Sequence, residues 1–126
     1  FKSVTANSMA LKTTDCYDTA TITLTFENGS MATIHYFANG HSSFPKERIE
    51  VFQAGQAFLL DNFRKLKGFG INRFSMRKLG QDKGQIACCD AFNTSLRSGT
   101  ASPIPFDDIL EVSKVSIEAD LMLRGF

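Results

Sequence analysis

The chain has 126 residues, 43% of them hydrophobic, with 14 basic and 13 acidic side chains and a net charge of +1. That length corresponds to one domain, residues 1–126, large enough to bury a core without staples. The balanced charge excludes a whole-domain field for drawing in nucleic acid or an anionic membrane, and no apolar run reaches membrane length.

In chain order, residues 3–11 form a weak strand candidate. Thr19 to Phe26 alternates, with Ala20, Ile22, Leu24 and Phe26 on one face and Thr19, Thr21, Thr23 and Thr25 on the other. Asn28-Gly29 follows, a pair that tolerates positive φ at both turn positions, and Met31 to Ala38 returns as the hairpin partner. Glu47 to Phe52 alternates again. Gln53 to Gln56 reads as a turn and Ala57 to Leu60 as a short strand. Residues 61–67 and 71–79 read as strands about a Gly68–Gly70 turn.

Beyond residue 80 the period changes. Ile86, Cys89, Phe92 and Leu96 lie three, three and four apart, a helical stripe with Asp82 placed to cap it and Gly99 just past its end. Ile109, Val112, Ser116, Ala119 and Leu123 form a second stripe. Asp107 and Asp108 are in its first turn and Arg124 in its last, as the helix dipole favours. Strands followed by helices give an α+β fold: an open-faced, mainly antiparallel sheet with two C-terminal helices packed on one face. The uncovered face carries Thr21, Thr23, Thr33, His35 and Phe37, with Met31 beside them. A mixed patch of that kind suits self-association, most simply as a two-fold dimer.

No set of residues forms a self-sufficient catalytic centre. Gly68-Phe69-Gly70-Ile71-Asn72-Arg73 holds the first two glycines of the dinucleotide fingerprint, but its third position is Arg73 and a strand-like run follows. A plain turn is the reading. His35 lies within a strand and lacks an orienting partner; His41, after Gly40, is the better functional candidate or a solvated loop residue. Pro45-Lys46-Glu47-Arg48 admits two readings: an anion or sugar contact beside a cleft with Lys46 and Arg48 as donors, or charges that pair along a strand edge. Arg64, Lys65, Lys67, Arg73, Arg77 and Lys78 form a basic cluster that reads as a solvated sheet face or edge. Cys16, Cys88 and Cys89 show neither a disulfide framework nor zinc spacing, so no metal site is expected. Cys89 reads as core. Free thiols point to a reducing compartment, the cytoplasm. The chain begins with Phe1 and reads as a piece of a longer protein.

One pattern extends further. "DTATITLTFENGSMATIHYFANG", "PKERIEVFQAGQAFLLDNFRKLKGFG", "DKGQ" and "SLRSGTASPIPFDDILEVSKVSIEADLMLRG", in that order, resemble the C-terminal part of the Gfo/Idh/MocA oxidoreductase family, named for glucose–fructose oxidoreductase and inositol dehydrogenase. The resemblance runs from about Asp18 to Gly125 and rests on the ordered set Asp18, Gly29-Ser30, Tyr36 with Gly40, Lys46-Glu47, Asp61 with Phe63-Arg64, Lys83-Gly84, Gly99 and Pro103. It implies an open-sheet half used for substrate and oligomer contacts. NAD or NADP would be held by a Rossmann half absent from this chain, and the substrate would be a sugar or polyol. The family's Glu-Lys-Pro lysine and its Asp-x-x-x-His histidine are both missing here. The resemblance therefore assigns no catalytic and no cofactor-binding residue, and leaves Tyr36, His41 and Lys46 as a cleft rim. The alternative is a non-catalytic interaction module.

Overall fold

A computed structural model of the chain describes residues 1–9, 18–72 and 74–125. Cys16, Arg73 and the last residues of the 3–11 strand candidate lie outside the described residues. The chain is α+β with antiparallel pairing throughout, and the strands divide into a three-stranded and a four-stranded sheet. Two compact units result, Phe1–Gly40 with Ala101–Phe126, and His41–Thr100.

The first unit holds β1 (Ser3–Ser8), β2 (Thr19–Thr25) and β3 (Met31–Phe37), in that order across the sheet, and the C-terminal helix, here αC (Phe106–Arg124). The register sets Val4 against Leu24, Ala6 against Ile22 and Ile22 against Ile34, so the apolar residues of all three strands share a face. αC packs against β1. Burial alternates along β1, with Val4 buried, Thr5 exposed and Ala6 half-buried, which marks the apolar face as the covered one. Val4, Ala20 and Ala119 form the centre of this small core. Of the second helical stripe, Ala119 is buried and Leu123 half-buried, but Val112 is 66% exposed. The line turned inward is Val115, Ala119 and Leu123, four residues apart.

The β2–β3 hairpin has the expected strands and a different turn. Gly29 alone has positive φ, at 82°. The Phe26 N–H donates to the Ser30 carbonyl at 2.9 Å and the Gly29 N–H to the Phe26 carbonyl at 3.0 Å, a type I turn closed by a left-handed glycine. Asn28 contributes its side chain instead: Oδ1 accepts the Ser30 N–H at 3.0 Å.

The second unit is a meander of β4 (Arg48–Gln53), β5 (Gln56–Asp61), β6 (Lys65–Phe69) and β7 (Ser75–Arg77), followed by the helix αN (Gln85–Ser98). Ala54 and Gly55, at φ 48° and 76°, make the two-residue β4–β5 turn read from the sequence. The expected strand over residues 61–67 is broken: Asn62 and Phe63, both at φ 50°, turn the chain between β5 and β6. A phenylalanine at positive φ is costly, which is why the bend was not visible in the residue types. Among the described residues no strand packs closely against αN. Its stripe is exposed, with Ile86 at 80% and Leu96 at 65%, and Cys89, expected in the core, is exposed too. A helical period defines an apolar face but not what covers it.

Candidate functional site

The uncovered face of the first sheet is built by strand parity. Asn7, Thr21 and His35 stand in one cross-strand row, Thr5, Thr23 and Thr33 in the next, and Ser3, Thr25 and Met31 in a third; Thr19 faces Phe37 at the far end. Thr21 Oγ1 and His35 Nδ1 lie 3.0 Å apart, and the His35 and Phe37 rings stack at 5.3 Å. The His35 ring is thus held between a hydroxyl and an aromatic, and among the described residues no carboxylate bonds it to make it a base. Ser3 and Thr25 hydroxyls bond at 2.6 Å. The face is a bed of hydroxyls, in which Ser3 bonds Thr25 and Thr21 bonds the His35 ring, ending in two large exposed apolar side chains, Met31 at 71% and Phe37 at 50%.

Of the residues expected at a cleft rim, Tyr36 is on β3 in the first unit, 62% exposed on the sheet's apolar face. His41 and Lys46 belong to the second unit. His41 Nδ1 lies 2.8 Å from Ser43 Oγ and accepts the Ser43 N–H at 3.2 Å, so the ring stabilises its own loop. Lys46 is exposed.

In the second sheet the two faces separate sharply. One carries Ile49, Val51, Phe58, Leu60, Leu66 and Met76. The other carries a row Arg48–Asp61–Lys65–Arg77, a row Glu50–Leu59–Lys67–Ser75, and a row Phe52–Ala57–Phe69. A groove of about 330 Å³ lies on this charged face, lined by Phe44, Pro45, Arg48, Leu59, Asp61, Lys65 and Lys67. Arg48 pairs with Glu50 at 2.6 Å. Glu47 turns elsewhere: it takes the Lys83 ammonium, and with Asn62 it accepts the Gln81 amide, at 3.2 and 2.9 Å. The Pro45–Arg48 charges are therefore split between a groove and a clasp. The basic cluster is divided too: Arg64 lies in the turn, Lys78 pairs with Asp82, and of its described members Lys65, Lys67 and Arg77 share a face. The sequence reading missed Lys65 and Lys67 as partners of Arg48 because the turn at Asn62-Phe63 sets their parity. With that turn in place, alternate spacing alone puts them together.

The glycine pair does not form a nucleotide cradle. Gly68 is inside β6, opposite Phe58, and its missing side chain leaves room for the Phe74 ring, which a Cβ would meet at 3.2 Å. Phe74 thereby reaches Phe58 edge-to-face, with ring centres 6.1 Å apart. Gly70, at φ 72°, lies where a Cβ would meet the Gly55 carbonyl oxygen at 2.6 Å. A strand, β7, follows, so there is no helix N-terminus for a pyrophosphate and these residues do not fit a dinucleotide. No family model, no curated protein and no solved structure matches the chain.

Proposed function

We propose that the chain supplies the substrate-side and subunit-contacting part of an NAD(P)-dependent oxidoreductase of sugars or polyols, working in the cytoplasm. The observation that carries the reading is the ordered resemblance from about Asp18 to Gly125 to the C-terminal half of the Gfo/Idh/MocA oxidoreductases. An α+β fold with an open antiparallel sheet accords with it. The cofactor and the acid–base groups belong to another part of the polypeptide in this reading, and no chemical step is assigned to the residues described above. Thr21, Thr23, Thr33, His35 and Phe37 form the subunit contact.

A second reading has its own support. The exposed Met31 and Phe37 at the ends of the hydroxyl bed suit a non-catalytic interaction module equally well. The coding sequence of the intact polypeptide separates the two. The oxidoreductase reading requires a G-x-G-x-x-G within a βαβ unit and a Glu-Lys-Pro elsewhere in it, and calorimetry of NADH against this chain alone giving only heat of dilution. An unrelated neighbouring domain contradicts the enzyme reading and leaves the module.

A further inference from the structure

The charged face of the second sheet keeps like charges in direct opposition. Lys65 faces Arg77 across β6 and β7, and Lys67 stands on the same side two residues along. Arg48 completes a group of four cations against two carboxylates, Glu50 and Asp61, and Glu50 is already bonded to Arg48. Cations placed opposite each other destabilise a sheet. Blunting of an exposed edge explains Arg77, which is on the edge strand β7. It does not explain Lys65 and Lys67, because β6 is paired on both sides. Nor are these two lysines ion-paired among the described residues.

The groove at this point has a second, apolar character. Leu59 is its half-buried floor, and Phe44, 71% exposed, and Pro45 line it from the loop that precedes β4. The loop is held in place by the His41–Ser43 turn and by the Phe44 N–H donating to the His41 carbonyl at 2.9 Å. At about 330 Å³ the groove is at the lower end of the range for small-ligand sites. We propose that it binds a small organic anion. A phosphate or carboxylate group lies between Arg48, Lys65 and Lys67, and an apolar portion rests on Leu59 against Phe44 and Pro45. Asp61, between Arg48 and Lys65 in its row, disfavours a second anionic group. This site stands apart from the oxidoreductase reading and does not depend on it.

Phenyl phosphate titrated into the whole chain, followed by amide chemical shifts, is the test. Saturable binding is expected, with the largest shifts at Leu59, Lys65 and Lys67. Lys65→Gln and Lys67→Gln should each weaken it about tenfold, the loss of one charge-assisted hydrogen bond. Lys114→Gln, on αC in the first unit, should leave it unchanged, and all three variants should keep the parent's dispersed spectrum. Benzoate in place of phenyl phosphate tells which anionic group is preferred, and tighter binding of either than of inorganic phosphate supports the apolar half of the site. No saturable binding of either probe, inorganic phosphate binding as tightly as both, or Lys114→Gln weakening binding as much as Lys65→Gln overturns the proposal.

Discussion

Asp82 stands three residues before the start of αN, where Oδ2 takes the Lys78 ammonium at 2.6 Å and Oδ1 accepts the Gly84 N–H at 2.9 Å. The Lys78 hydrogen bond, then the Gly84 N–H, then the Lys78 charge hold its carboxyl below the ordinary value of 3.8. A carboxyl depressed in the folded state adds stability that is complete above its unfolded pKa. That stability is lost as the pH falls through the lower folded value. Asp82→Asn should therefore be slightly less stable than the parent at neutral pH, and the two should converge in strong acid. Thermal melts across an acid series check this; a difference that persists undiminished below about pH 2 contradicts it. The sequence marked Asp82 as the cap, and the side chain does gather a backbone N–H there. The residue at the N-cap itself is Gly84 in the left-handed region, at φ 75°. The expected side-chain cap is not formed: αN has no side-chain cap hydrogen bond, and its N-cap is a glycine whose φ no periodicity reports. The same holds at Phe63, where the Gln81–Asn62–Glu47 clasp, and not local preference, accompanies a positive φ.

For the elements, alternation of period two was enough to place β2 and its hairpin partner β3 and to say which of their residues share a face. The helices were legible as helices but not as packed surfaces. αC turns Val115, Ala119 and Leu123 inward. Its N-terminal apolar residues Ile109 and Val112 remain outside, at 46% and 66% exposure, and their carbonyls accept the Ser113 and Ser116 hydroxyls at 2.8 and 2.7 Å. Leu and Val occur on several sides of this helix, so the stripe had more than one reading. Leu123→Ala should cost about 1–2 kcal/mol, below the range for a fully buried leucine. Val112→Ala should stay within about 0.5 kcal/mol. Urea melts of the two variants decide the matter, and a larger loss for Val112→Ala would mean that the helix is turned the other way.

In the molecule as a whole, large apolar side chains stay exposed on both sheets: Met31, Ile34 and Tyr36 on the first, Ile49, Val51 and Met76 on the second. No described helix is long and apolar enough to cross a membrane. Exposed apolar surface of this kind on a protein domain marks contact with another surface. The hydroxyl bed of β1–β3, with Met31 and Phe37 exposed at its ends, is the face proposed to make that contact with a second copy. Thr23 and Thr33 stand opposite each other at its centre. Thr23→Lys combined with Thr33→Glu sets two opposite charges face to face, which a single sheet tolerates and a dry two-fold contact does not. Sedimentation equilibrium of the parent chain and of this double variant, at tens of micromolar, tests the central claim most directly. The parent is predicted to sediment as a dimer and the variant as a folded monomer. A parent that sediments as a monomer of 13.9 kDa would contradict the claim.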